Sequence, residues 1–395
     1  MSAKVHSKNF LEDILGKYFQ KAVKVLNVKV TEDVNDTIFV CSMKRLKIGY
    51  LLENENEQHS LSIISKNLPE DEFRSKFITD MEMFDCEFKV YVEVISQFSK
   101  LDYQEKMSAK VYCCISKPSP MLLLEDLCEL QYKVVRKSDG LDLEHCLLVM
   151  EKLAYFHAAS LALFEKKSST LTEFNRCMFQ RSTISEQLVN VSYEEIVKVC
   201  RSVPDLNKYT EKLELAKERI FEILFNINNT NTNYKVLNHG DCWSNNIMFY
   251  HNQNGEVKDV VFVDFQLSCF TSPCYDLHYF IGSSANVQSK HNVDAIVDHY
   301  FENFTRKLRE LHTVTMPTRE KFDEDFRSFC YYGFGGTLTA LPFSNPNKFE
   351  GATMQNFLED NSTDGYRYKC FRSEDYLKKM KHCLSIYEAL GMFDI

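Results

Sequence analysis

Glycine is scarce in this sequence, twelve among 395 residues, so a fold that uses glycine-rich loops to bring backbone against phosphate has little to draw on. Cysteine is plentiful at fourteen, but no Cys-x-x-Cys pair occurs. That leaves neither a zinc site nor a redox motif in view and points to a reducing compartment. No stretch approaches the roughly 20 apolar residues of a membrane span, and Met1-Ser2-Ala3-Lys4-Val5-His6 has no apolar signal core. The expectation is a cytosolic chain with no membrane span. Concentrated positive charge is also missing. The net charge is -9, which argues against a nucleic-acid or anionic-membrane partner. The run Lys378-Lys379-Met380-Lys381 falls in a helical pattern and reads as a solvated face.

What is present suits a globular protein: 44% hydrophobic and 26% charged residues, with length for one large two-lobed unit or two domains. Leu11, Ile14, Leu15, Tyr18 and Phe19 predict an opening helix over residues 8–22. Val23 to Val30, Thr37 to Cys41 and Leu61 to Ser65 then read as strands of an antiparallel sheet. From Glu70 to Gln97 a helical stripe returns with Phe73, Phe77, Met81, Phe84, Phe88, Tyr91 and Ile95. Strand candidates follow at Lys110 to Ile115 and Met121 to Leu124, and beyond residue 140 helices dominate, including Asp142 to Glu165. One hairpin interrupts them, Asn246 to His251 with Asp259 to Phe265 around Asn254-Gly255. The fold class expected is α+β and two-lobed: a sheet-rich N-lobe over 1–120, a hinge over 121–130 and a helical C-lobe over 131–395.

The chemistry concentrates in one stretch. His239-Gly240-Asp241-Cys242-Trp243-Ser244-Asn245-Asn246 leads through the hairpin to Asp264-Phe265-Gln266. Phosphoryl transfer needs a carboxylate at the acceptor hydroxyl and oxygen ligands for magnesium at the phosphates. Asp241 fits the first need, Asn246 and Asp264 the second. Counting back from Asn254-Gly255 sets Asn246 opposite Val263, so both ligands emerge at one end of the hairpin. His239 reads as a buried support of the loop, and Trp243 equally as loop packing or as a substrate wall.

Upstream, Lys66 closes the strand Leu61 to Ser65, and of Glu82, Glu87 and Glu93 only Glu87 lies within the apolar stripe. A carboxylate buried there needs a cation, and Lys66 is the natural partner.

At this point the sequence resembles the ecdysteroid kinase-like family of arthropods, also called the choline-kinase-like CHK family, which sits beside the aminoglycoside phosphotransferases. The resemblance rests on Ile64 to Pro69, Phe84-x-x-Glu87-x-x-x-Tyr91, Leu123 to Leu127, Leu153 to Ala158, His239 to Phe249, Asp264-Phe265-Gln266 and Ser272-Pro273-x-x-Asp276-Leu277. It implies a protein-kinase-like fold, ATP and Mg2+ as cofactors, and a small-molecule alcohol as substrate, an ecdysteroid or a foreign compound. Residue by residue, it puts the phosphate lysine on Lys66, its glutamate on Glu87, the base on Asp241 and the metal ligands on Asn246 and Asp264. Glu125 and Leu127 resemble the hinge whose backbone reads adenine, and Asp276 the aspartate that braces the catalytic loop. His157 shares the family's helix motif, though a histidine on a core-facing helix is usually structural.

One departure stands out, since the phosphate-covering turn Thr31-Glu32-Asp33-Val34-Asn35-Asp36-Thr37 has no glycine. A nucleotide-binding pseudoenzyme is therefore an alternative reading, as is a choline or ethanolamine kinase. Against a protein kinase stand Gln266, where a glycine is expected, and the short segment from Asp264 to Ser272-Pro273, which has no room for an activation loop. By position, the acceptor would lie between the catalytic loop and the helices after Asn286, near Tyr331-Tyr332-Gly333-Phe334-Gly335-Gly336.

Overall fold

The computed structural model describes residues 6–31, 41–101, 105–135, 139–227, 230–344 and 352–394. The turn from Glu32 to Thr37 and most of the strand expected at Thr37 to Cys41 lie outside the described residues. The chain opens with helix α1 (Lys8–Phe19), whose Leu11, Ile14 and Leu15 are buried. Five strands follow: β1 (Val23–Thr31), β2 (Ser42–Leu52), β3 (His59–Asn67), β4 (Val111–Ile115) and β5 (Met121–Glu125). They form one antiparallel sheet in the order β1-β2-β3-β5-β4. α1 packs on it through a small core of its own with Val25, Leu46, Ile48, Ile63 and Leu123. β5 belongs to this sheet, so the segment read as hinge begins as a strand. The turn after it is built by Asp126, which caps the Cys128 N–H at 3.2 Å and takes Arg45 Nε at 2.6 Å and Ser62 Oγ at 2.7 Å.

The single helix expected over Glu70 to Gln97 is interrupted. α2 (Glu72–Asp80) stops at Met81, and Glu82 adopts a left-handed conformation (φ 54°) before α3 (Met83–Lys89), which continues through a π-helical stretch Val90–Ile95. The apolar stripe survives the break because Met81, Met83, Phe84, Phe88 and Tyr91 all stay buried.

The remainder is mainly helical. α4 (Leu143–Lys166) is long and apolar enough to cross a membrane by length and composition, which the sequence reading overlooked. Here it is the central core helix, covered by α8 (Val293–Glu310). α8 is amphipathic and buries Ile296, Val297, Tyr300, Phe304 and Leu308. Between them come α5 (Thr183–Ser202), α6 (Thr210–Leu224) and α7 (Cys274–Ser283), and after α8 come α9 (Arg319–Ser328), α10 (Cys330–Thr339) and α11 (Glu374–Ala389). On α11 the lysine run divides: Lys378 and Lys381 are exposed and pair with Glu374 and Asp205, while Lys379 is buried beside Met380 and Cys383. Helical periodicity turns it inward, so only part of the expected solvated face is solvated.

The hairpin that carries the chemistry is β8 (Ile247–His251) and β9 (Val257–Phe262), with β6 (Tyr132–Val134) on the outer side of β8. Its loop is closed by the Asn252 N–H to the Glu256 carbonyl at 3.0 Å, with Gly255 left-handed (φ 80°). A register shift between Tyr250 and His251 offsets the longer loop. Ile247 therefore opposes Phe262, and Val263 donates to the Asn246 carbonyl at 3.0 Å. The pairing counted from Asn254-Gly255 is the pairing observed.

One buried group makes this core sensitive to acid. His278 on α7 is 2% exposed, stacks on Phe326 at 4.0 Å and reaches the Phe326 carbonyl at 2.6 Å through Nε2. Burial depresses its pKa to about 4, against the raising effect of that bond. The unfolded histidine titrates near 6.5 and so binds protons first, and the stability that a neutral His278 contributes is present above about 6.5 and lost as pH falls towards 4. The loss is on the order of 3 kcal/mol. Melting temperatures followed from pH 7 to pH 4 should fall faster for the parent chain than for His278→Phe; parallel curves would refute the assignment.

Candidate active site

Two short strands bring the site together. β7 (Val236–Asn238) pairs antiparallel with β10 (Cys269–Thr271), Asn238 opposite Cys269. The loop that leaves β7 at His239 therefore lies against the segment Asp264 to Ser268 that enters β10. Contact is closest at Gly240, which is left-handed (φ 83°) and whose added Cβ would lie 1.8 Å from the Leu267 carbonyl oxygen. Only glycine fits between His239 and Asp241.

The loop is held from beneath by α7. Asp276 is fully buried, and its carboxylate accepts the His239 N–H at 2.6 Å and the Gly240 N–H at 3.0 Å. His157 on α4 approaches the same carboxylate through Nε2 at 3.2 Å and Tyr300 Oη through Nδ1 at 2.8 Å. An ionised carboxylate only accepts, so Nε2 carries the proton and Nδ1 takes the tyrosine O–H. His157 is thus a satisfied core histidine, one layer behind the loop. His239 is fully buried as well. Its Nε2 donates to the Val263 carbonyl at 3.0 Å, and its Nδ1 accepts the Asp241 N–H at 3.3 Å. It ties the loop to the hairpin, as a support should. Trp243 is 5% exposed and packs in the core.

Asp241 is half-buried at the loop's turn. Its Oδ2 accepts Asn246 Nδ2 at 2.8 Å, and its Oδ1 accepts the Tyr279 hydroxyl at 2.7 Å. Burial, then the charge of Asp264, push its carboxyl up to about 7, against the two hydrogen bonds. Asn246 Nδ2 also donates to the Asp241 main-chain carbonyl at 3.0 Å. Both partners are acceptors, which fixes the amide orientation and leaves its oxygen as a potential ligand.

Asp264 follows β9 in a left-handed conformation (φ 70°) with 29% of its side chain exposed. Such a backbone is uncommon for a residue with a side chain, though aspartate adopts it more readily than most. Its Oδ1 accepts Lys66 Nζ at 2.7 Å, and the same ammonium donates to Glu87 Oε2 at 2.5 Å. Lys66 is 4% exposed and Glu87 1%. Burial opposes the Lys66 charge, but Asp264 and Glu87 outweigh it and hold its pKa well above the ordinary lysine value. The partner inferred for Glu87 from the apolar stripe is the partner it has.

At the end of β5 the Glu125 carboxylate takes Lys106 Nζ at 2.5 Å and the Lys110 N–H at 3.1 Å, and Leu127 is 3% exposed. Tyr332 and Phe334 are fully buried. The glycines around them serve helix packing: a Cβ at Gly333 would strike His278, at Gly335 Phe179 and Leu224, and at Gly336 Tyr279. The backbone is approached here by neighbouring side chains, which accounts for these glycines by helix packing. What sequence reasoning missed is Tyr279. It stands three residues after Asp276 on α7, on the same helical face, and that spacing was the available signal.

Lys66→Met would leave Glu87 and Asp264 without their cation, and a buried carboxylate stripped of its partner costs roughly 3–5 kcal/mol. Urea unfolding should show that loss, with Lys66→Met/Glu87→Leu recovering most of it. Equal losses in the single and double variants would contradict the pairing energetics.

The family model described as the ecdysteroid kinase-like family matches residues 37–313. Among solved structures, a Plasmodium vivax ethanolamine kinase is similar over 92% of this chain and 84% of its own, at 12% identity and a TM-score of 0.41. No curated protein matches the sequence. The match from 37 to 313 contains Lys66, Glu87, Asp241, Asn246, Asp264 and Asp276, and the chain belongs to the ecdysteroid kinase-like family.

Proposed function

We propose that this protein is an ATP- and magnesium-dependent kinase that phosphorylates a hydroxyl of a small acceptor, an ecdysteroid or another apolar alcohol. The observation that carries this reading is the convergence of one half-buried carboxylate, Asp241, with the Asn246 amide and the Lys66–Asp264 pair across a single hairpin end. Family membership supports the phosphotransferase class.

Asp241 receives the acceptor hydroxyl and orients its oxygen towards the terminal phosphoryl group. As the new P–O bond forms and the bond to ADP breaks, the hydroxyl proton passes to the Asp241 carboxylate. Lys66 offsets charge on the phosphates, and Glu87 keeps its ammonium in place. The donor set suits magnesium, which takes one or two protein oxygens and fills its remaining sites with phosphate and water. Asn246 offers its amide oxygen and Asp264 the carboxylate oxygen not bound by Lys66. The metal neutralises charge on the phosphate oxygens when bound. Because the Glu125 side chain is occupied by Lys106, adenine recognition at Glu125 and Leu127 falls to the main chain.

Two measurements test the proposal. ATP with magnesium should raise the melting temperature, by an amount that corresponds to about 2.7 kcal/mol at a hundredfold excess over Kd. Mass spectrometry of a mixture of steroid and cationic alcohols incubated with ATP, magnesium and the protein should reveal a phosphorylated steroid alcohol, and Asp241→Asn should reduce its formation by about a hundredfold or more. A protein that neither shifts its melting temperature nor forms product is not a kinase, and a phosphorylated cationic alcohol alone would redirect the acceptor assignment.

A further inference from the structure

The catalytic loop rests on α7 at three successive points. Asp276 takes the His239 and Gly240 N–H groups at 2.6 and 3.0 Å, Tyr279 reaches Asp241 Oδ1 at 2.7 Å, and Ser284, just past the helix end, accepts the Ser244 N–H at 2.8 Å. The first and third contacts fix backbone. The second alone fixes the side chain that meets the acceptor. A carboxylate on a loop has two free torsions, and transfer depends on holding it within a fraction of an ångström of the line of attack.

The phenol is itself held. Tyr279 is 2% exposed, and its ring lies parallel to Tyr275 at 6.2 Å with 15° between the planes. It occupies a notch that exists because residue 336 has no side chain, since a Cβ there would lie 2.6 Å from Tyr279 Cδ2. Gly336 on α10 stands in the glycine-rich stretch that the reaction otherwise leaves without a role. A helix-packing glycine thus seats one tyrosine, whose hydroxyl donates to one oxygen of Asp241 and also meets the Thr339 side chain.

We propose that Tyr279, seated in the Gly336 notch, is a positioning residue for phosphoryl transfer: its hydroxyl pins Asp241 Oδ1, as Asn246 pins Oδ2, so that the carboxylate meets the acceptor in one orientation. The inference rests on the kinase reading above. It predicts a loss confined to the transfer step, because the groups that Tyr279 is seen to meet are Asp241, Tyr275, Gly336 and Thr339, none of which is assigned to the nucleotide.

The test uses the full chain with magnesium ATP and water as the acceptor, read as ADP release, in the parent, Asp241→Asn, Tyr279→Phe and Gly336→Ala. Tyr279→Phe keeps the ring and its packing and removes only the donor. It should lower kcat tenfold or more while leaving the KM for ATP and the ATP-induced melting shift within twofold of the parent. Gly336→Ala should show the same split by displacing the ring. If that variant does not fold, Tyr279→Phe carries the test alone. Turnover by the parent that Tyr279→Phe leaves within twofold, or a loss that appears in KM instead of kcat, overturns the positioning role and spares the kinase reading. No ADP release by the parent, with no melting shift, overturns both.

Discussion

The site depends first on one buried carboxylate. Asp276 has no solvent exposure, and it meets the cost of burial by accepting two consecutive main-chain N–H groups and facing one imidazole. The loop that contains Asp241 has little secondary structure of its own, so its shape is imposed by this acceptor. Through His239, which reaches the Val263 carbonyl, the same constraint passes to the end of β9 and to Asp264. The residues that face solvent are thereby set by one that does not.

Charge is organised around the opposite logic. Lys66 is a buried cation shared between two carboxylates, one buried and one partly open. A lone pair of this kind is weak evidence for stability, because desolvation cancels much of the attraction. Its value here is positional: the ammonium links β3 and α3 to the turn after β9, 198 residues further along the chain. Lys66 thereby offsets the charge of Asp264 as well as that of Glu87.

Much of this was legible in the sequence, for identifiable reasons. The His-x-Asp-x4-Asn spacing, the Asn-Gly turn and the final Asp-Phe are local patterns, and period-two pairing carries them into three dimensions without knowledge of the rest of the fold. Glu87 was recoverable because a carboxylate within an apolar stripe demands a partner. The break at Glu82 was not, since a left-handed glutamate has no sequence signature and the stripe runs past it unbroken. Tyr279 was hidden because tyrosine beside Phe280 and Ile281 on a buried helix looks like core, and it is core by burial; only the direction of its hydroxyl separates it from Tyr275. The glycines at 333, 335 and 336 were visible but ambiguous, because close approach of backbone reads the same whether the visitor is a substrate or a neighbouring ring.

The segment from Phe265 to β10 contains only Gln266, Leu267 and Ser268, and it is fastened at both ends, by β10 against β7 and by the Leu267 carbonyl against Gly240. Kinases that act as switches keep a long mobile stretch at this place and unlock the site by modifying it. Three residues leave no length for such a stretch, and the Leu267 carbonyl that closes on Gly240 ties the turn bearing Asp241 to the turn bearing Asp264 through main chain alone.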